Sequence, residues 1–237
     1  MSEDAVPLRG RCVLISGGAS GIGAAAAAHL HGLGCRVAVA DAACPARPRP
    51  GVHYHGVDLR EPAQVDALFA KLERAAALPD VLVSCAGVGV HERLTEGDPA
   101  KWAQVFEVNV LGALRLIRAF VPAMWARGGD VVVVGSVAAR QAYPSGGVYA
   151  ASKAALELVA ETLRLEVQPR IRVTTLAPGV VDTPFFAHML AGHQTVQEIG
   201  FGSLEPQQVA ELIAYAISRP PNMALNHVVV RPRGQPF

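Results

Sequence analysis

The sequence has almost no surplus of charge: 21 Lys and Arg stand against 20 Asp and Glu in 237 residues, a formal net charge of +1. No basic run marks a face for phosphate backbones or anionic lipid, so nucleic acid and membrane surfaces are not expected as partners. Also lacking is any apolar run long enough to cross a bilayer, and the opening MSEDAVPLRGR has none of the charged-then-apolar layout of a secretory signal. A cytoplasmic location is expected. Cysteine is scarce: Cys12, Cys35, Cys44 and Cys85 form no C-x-x-C pair, and Cys12, Cys35 and Cys85 sit in or beside apolar segments, where a reduced thiol behaves as a small hydrophobe. Disulfides are therefore not expected. The pairs His29/His31 and His53/His55 have no third ligand nearby, which leaves no metal site in prospect.

What the chain does have is hydrophobic residues, 51% of the total, enough to bury the core of one large α/β domain spanning 1–237. Apolar, β-branched runs alternate with longer helical stretches. RCVLIS (11–16), CRVAVAD (35–41), GVHYHGV (51–57), DVLVSC (80–85), DVVVVGS (130–136), IRVTTLA (171–177) and NHVVVRP (226–232) read as strands. Helices are expected over 21–33, 62–75, 99–126, 148–167 and 205–218, the third opened by Asp98 at the N-cap and Pro99 in the first turn. Runs such as VVVV, apolar without alternation, need helical cover on both faces. The fold class that follows is a doubly wound parallel sheet of about seven strands, with ligands bound beyond the carboxyl ends of the strands.

Just past the first strand stands SGGASGIG (16–23), with Gly17, Ser20, Gly21, Ile22 and Gly23 turning into a helix. Glycine lets a pyrophosphate come close, and the helix N-terminus offers free N–H groups and partial positive charge. Alone, such a loop is also an ordinary tight turn; between a strand and a helix it reads as a dinucleotide site. Asp41 ends the second strand, 20 residues past Gly21, where a carboxylate accepts from ribose hydroxyls and repels a 2′-phosphate, or else simply caps a loop. No cation follows until Arg47, so NAD is expected over NADP unless Arg47 or Arg49 folds back. The segment AACPARPRP (42–50) is too proline-rich for the usual covering helix. An open adenosine site follows, with Asp58 and Leu59 against the base, or a partner contact in its place.

Taken in order, the motifs resemble those of the short-chain dehydrogenase/reductase family across essentially the full chain, which implies a Rossmann-like sheet with the strand order 3-2-1-4-5-6-7. SGGASGIG is similar to its cofactor loop, CAG (85–87) to its Asn-Ala-Gly motif, VNVLG (108–112) to the segment with its helix asparagine, GS (135–136) to its catalytic serine, YAASK (149–153) to its Tyr-x-x-x-Lys, and PGVVDT (178–183) to its Pro-Gly segment. A lone Tyr-x-x-x-Lys is more often a helix-surface pair; six motifs in register are specific.

The resemblance implies a catalytic set of Asn109, Ser136, Tyr149 and Lys153. Tyr149 is then the general acid/base, and because a phenol ordinarily ionises near pH 10 it needs a cation. Lys153, four residues on along the same helical face, is expected to favour the phenolate and to hold the nicotinamide ribose. Ser136 would bond the substrate oxygen, and Asn109 would join a proton relay through water to Lys153. Cys85, Ala86, Gly87, Pro178, Gly179, Val181 and Thr183 join the cofactor contacts, the last two at the carboxamide. The activity implied is hydride transfer between NAD(H) and a small secondary alcohol or ketone. NADPH-dependent carbonyl reduction, or a dinucleotide-binding regulator without turnover, are the alternatives.

Residues 184–204 read as a mobile lid, with Phe185, Phe186, Met189 and Leu190 lining the substrate side and Gly192, Gly200 and Gly202 as hinges. Residues 139–147, with Arg140, Gln141 and Tyr143, form the facing wall; Arg140 either meets a substrate carboxylate or points outward. Three departures from the family pattern stand out: Ser16 for threonine, Cys85 for asparagine, which is expected to weaken a structural hydrogen bond, and the short segment after Asp41. Apolar residues on several faces of the third and fourth helices (Val105, Val108, Leu116, Phe120, Leu156, Val159, Leu163) suggest burial by another subunit, and the resemblance implies a homodimer or homotetramer. The tail is expected to lie at a subunit contact.

Overall fold

The computed structural model describes residues 6–45 and 47–236. Met1–Ala5, Ala46 and Phe237, which carry parts of the opening segment, the proline-rich stretch and the tail discussed above, lie outside the described residues. The element order is β1 (Cys12–Ser16), α1 (Gly21–Gly32), β2 (Arg36–Asp41), β3 (Val52–Gly56), α2 (Pro62–Arg74), β4 (Val81–Ser84), α3 (Pro99–Phe106), α4 (Gly112–Met124), β5 (Gly129–Val134), α5 (Gly147–Val167), β6 (Ile171–Pro178), α6 (Val196–Ile199), α7 (Pro206–Ile217) and β7 (His227–Val230). All pairings are parallel, in the order β3-β2-β1-β4-β5-β6-β7.

Period-two geometry divides each apolar strand between two cores. Val13 and Ile15 of β1 meet Ala27 and Leu30 of α1 and Ile213 and Ile217 of α7. Leu14, between them, meets Leu68 and Leu72 of α2, Leu116 and Phe120 of α4 and Leu156 of α5 on the opposite face. The apolar residues of α3, α4 and α5 that suggested another subunit are largely consumed by this second core. Val105, Leu116, Phe120, Leu156 and Leu163 are buried within the chain, Val108 lines the cavity described below, and Val159 is half-buried. The apolar residues left outward are others: Phe106, Leu111, Leu114, Leu158 and Leu165.

The expected helix over 99–126 is interrupted. Asp98 caps it, accepting from the Ala100 N–H at 2.8 Å, but Glu107–Leu111 form a π turn between α3 and α4. Apolar spacing carries no mark of such a turn, which inserts one residue into the helix and so re-aims the side chain it carries. That side chain is Asn109, fully buried and bonded to both backbone groups of Val88. The described part of 42–50 has neither helix nor strand, as its prolines require.

At the amino edge of the sheet, away from the carboxyl ends of the strands, Asp130 is bonded by two arginines, Arg11 Nη2 at 2.7 Å and Arg172 Nε at 2.7 Å. Arg172 also donates to the carbonyls of Ile217, Arg219 and Met223, tying the end of α7 to the sheet. Removing one partner of a buried ion pair leaves charge without compensation. Asp130→Asn is therefore expected to lower unfolding stability by about 3 kcal/mol and the melting temperature by about 10 °C. Urea and thermal unfolding check this; a change near zero would show that the pair is solvated.

Candidate active site

A cavity of about 820 Å³ opens along the carboxyl ends of the strands. At one end lies the β1–α1 turn. Gly17 has φ +69°, and a Cβ there would stand 2.6 Å from Ala86 Cα; a Cβ on Gly23 would collide with the Gly17 carbonyl. Larger residues would close the loop. Ser20 precedes α1 in extended backbone with no side-chain cap bond, so the first-turn N–H groups are not taken by it, as an anion-binding helix N-terminus requires. Asp41 Oδ2 accepts from the Ala19 N–H at 2.9 Å and Oδ1 from the Ala43 N–H at 3.0 Å, so the carboxylate braces the glycine turn and faces the cavity.

Asp58 and Leu59 line the same end, and with them Arg60, which sequence reasoning missed. Its guanidinium is bidentate on the Asp58 carboxylate, closest contact 2.6 Å, and this hydrogen bonding holds the Asp58 carboxyl below the usual range. An x-Asp-x-Arg spacing at the end of a strand was the available signal. Arg47 and Arg49 are exposed and do not line the cavity.

In the middle, Cys85, Ala86 and Gly87 follow β4. The backbone link expected to suffer from Cys85 is made by Ser16, whose buried hydroxyl accepts from both the Cys85 and Ala86 N–H groups at 3.1 and 3.2 Å. Burial pushes the Cys85 thiol up to about 11, so it stays protonated near neutrality.

Ser136, Tyr149 and Lys153 converge on the cavity at its other end; Asn109 does not line it but lies directly behind. The Asn109 amide donates to Ser152 Oγ at 3.0 Å, and Ser152 donates to the Tyr149 carbonyl at 2.7 Å, locking the π turn to α5. Gly87 separates Asn109 from Lys153: a Cβ there would lie 3.3 Å from Asn109 Oδ1 and 3.5 Å from Lys153 Nζ. Lys153 Nζ donates to the Val134 carbonyl at 2.9 Å and stands 5.9 Å from the centroid of the Tyr149 ring.

The electrostatics differ from expectation. Burial raises the Tyr149 phenol above its ordinary pKa, and only the hydrogen bond with Ser136 opposes it; Lys153 is not among the groups that lower it. The reason is geometric, since the ammonium is held on Val134 while the ring packs on Phe185, centroids 5.6 Å apart. Lys153 itself is pushed down to about 8 by burial, with Cys85 and Glu157 opposing.

Pro178, Gly179, Val181 and Thr183 border this end, and Phe185, Phe186 and Met189 cover it. Leu190 does not line the cavity; its N–H is bonded to the Gly89 carbonyl at 2.8 Å, and the His91 N–H reaches Ala191 at 3.1 Å, so 184–204 is pinned over residues 89–91. Gln141 and Tyr143 form part of the facing wall, but Arg140 does not: it points out and pairs with Glu157 at 3.3 Å. The outward alternative is the correct one. Sequence reading also missed His91, His188 and Gln235 along the cavity.

Residues 11–193 match the model of the short chain dehydrogenase family, and the chain belongs to that family of oxidoreductases, which use a nicotinamide dinucleotide. It is 33% identical over 98% of its length to glycine betaine reductase ATRR of Emericella nidulans, of which it spans 19%. An uncharacterized oxidoreductase of Staphylococcus haemolyticus is 31% identical, covering 95% of this chain and 98% of its own. Among solved structures, the alcohol dehydrogenase of the archaeon Thermococcus sibiricus complexed with 5-hydroxy-NADP superposes with a TM-score of 0.83 at 26% identity, over 95% of this chain and 97% of the other.

Proposed function

We propose that this protein is an NAD(H)-dependent oxidoreductase that interconverts a secondary alcohol and a ketone, with Tyr149 as general acid/base. The observation that carries this reading is the placing of Ser136, Tyr149 and Lys153 in one cavity with the Gly17–Gly23 turn and Asp41. The glycine turn would hold a pyrophosphate, Asp41 a ribose, Asp58 and Leu59 the base, and Pro178–Thr183 the nicotinamide. When bound, the nicotinamide supplies or accepts the hydride. Burial keeps the Tyr149 phenol protonated at neutral pH, which suits it to give a proton to a carbonyl oxygen. Ser136 can bond that same oxygen and steady developing charge. Lys153, ammonium below about pH 8, supplies the local positive charge, and Asn109 fixes its surroundings from behind.

In this reading the chain is one domain over 1–237, with 184–204 as a lid hinged at Gly192, Gly200 and Gly202, all of positive φ. The outward Phe106, Leu111, Leu114, Leu158 and Leu165 suit burial in a homodimer or homotetramer. No helix among the described residues is long and apolar enough to cross a membrane. A cytoplasmic location is part of the proposal. Following the absorbance of reduced nicotinamide over a panel of ketones and alcohols tests the reading; NAD binding without any turnover would favour a regulator instead.

NADPH is a second reading, favoured by Arg60 at the adenosine end and by the archaeal neighbour's NADP derivative. Against it, the Arg60 guanidinium is already bidentate on Asp58, and the Asp41 carboxylate faces the cavity where a 2′-phosphate would lie. NADH should bind more tightly than NADPH, and Asp41→Ala should narrow the gap by about tenfold by removing that repulsion. Titrating both cofactors against both proteins measures it; an unchanged ratio would show that Asp41 does not discriminate.

A further inference from the structure

The C-terminal arm, residues 231–236, turns back to the border of the cavity, where Gln235 lines it. β7 pairs with β6 as far as Val230 against Pro178, and the Gly179 N–H donates to the Val230 carbonyl at 2.7 Å, so the arm leaves the sheet beside Gly179. A turn closed by the Gln235 N–H on the Pro232 carbonyl, 3.0 Å, reverses its direction. Gln235 Oε1 then accepts from the Val180 N–H at 3.0 Å, a contact between residues 55 apart in sequence, and the side chain borders the cavity. The approach is tight: a Cβ on Gly179 would collide with Gln235 Oε1 and stand 3.0 Å from Pro232 Cδ. Further along, a Cβ on Gly234 would lie 3.0 Å from the Phe201 carbonyl, so the arm also meets the segment that covers the cavity.

Val180 is the first residue past Gly179 that the β6–β7 ladder no longer serves, and it is 8% exposed. A buried N–H at such a point needs an acceptor, and here a side chain from the far end of the chain provides it. The adenosine end is braced by different bonds, Asp41 to Ala19 and Ala43, and Gln64 Oε1 to the Asp58 N–H at 2.8 Å. None of these involves the arm.

We propose that Gln235 is a positioning residue of the nicotinamide subsite, its carboxamide fixing the backbone of Pro178–Val181 while the adenosine half of the site is held without it. This inference rests on the reading of the cavity as a nicotinamide dinucleotide site. Removing the acceptor frees the strand end to shift, and water takes over part of the lost bond, so the effect is moderate and confined to one end of the ligand.

The test compares NADH with ADP-ribose, which carries the adenosine diphosphate and second ribose but no nicotinamide. Calorimetric titration is run on the full chain, on Gln235→Met, which keeps bulk and loses the acceptor, and on Gln235→Glu, which keeps an acceptor oxygen. The methionine variant should bind NADH about tenfold more weakly and ADP-ribose unchanged, and the glutamate variant should recover most of the NADH affinity. Equal weakening of both ligands would mean that the arm only supports the fold, and unchanged NADH binding would mean that it does nothing at the site; either overturns the proposal. Unaltered ADP-ribose binding also certifies that a variant is folded. If the wild-type chain bound neither ligand, the dinucleotide reading itself would fail, and this inference with it.

Discussion

Tyr149→Phe is expected to lower turnover by about a hundred- to ten-thousand-fold while leaving cofactor affinity nearly unchanged. The substitution removes one oxygen. The ring keeps its contact with Phe185, centroids 5.6 Å apart, and α5 keeps its length and packing. What disappears is the phenol that Ser136 bonds and that burial keeps protonated. Initial rates and NADH titration on the same preparation separate the two effects. Near-normal turnover in the variant would refute the role given to Tyr149.

Lys153→Met is expected to abolish activity and yet stabilise the chain. Lys153 is 4% exposed, and burial pushes its ammonium from 10.5 down to about 8, a difference that corresponds to about 3 kcal/mol of cost in keeping the charge inside. Methionine fills similar space without charge, and loses a hydrogen bond to the Val134 carbonyl worth about 1 kcal/mol. The net gain, about 2 kcal/mol, raises the melting temperature by about 4–8 °C. The pH dependence carries the sign. Between pH 8 and 10.5 the unfolded chain holds a proton that the folded chain has released, so wild-type stability rises with pH through that window. The variant lacks this slope. Ketone reduction by the wild type should fall as pH rises through about 8, when the ammonium is lost. A variant less stable than wild type, or a wild type without the slope, would show that the charge is solvated or otherwise compensated.

Much of this was legible in the residues alone. The parallel, doubly wound sheet and the placing of the site follow from continuous apolar runs such as Val131–Val134 and from motifs just past the strand ends, because burial on both faces leaves a composition that no loop shares; the observed strand order is the one the family resemblance implies. The residues expected to contact cofactor all border one cavity. Other features were not legible, for identifiable reasons. The π turn at Asn109 leaves the apolar spacing of its helix intact and depends on a side-chain pairing with Val88, 21 residues away. For Arg140 the sequence leaves an inward and an outward placing open, because Glu157, which pairs with it, lies 17 residues on. The i,i+4 spacing gives Lys153 and Tyr149 a shared face and so an expected stabilisation of the phenolate, but spacing does not say that Val134 claims the ammonium. Gln235 carried no signal, since its partner is brought to it by the last strand pairing of the sheet.

In the proposed reaction a hydride moves within this cavity between nicotinamide and a carbonyl carbon while the chain supplies the proton. It is tested by turnover of a panel of ketones with NADH deuterated at both C4 positions, followed by mass analysis of the alcohol. An alcohol carrying the cofactor's deuterium on its carbinol carbon is expected, formed by the wild type and scarcely by Tyr149→Phe. An alcohol without that deuterium, or no alcohol from a chain that binds NADH, would contradict it.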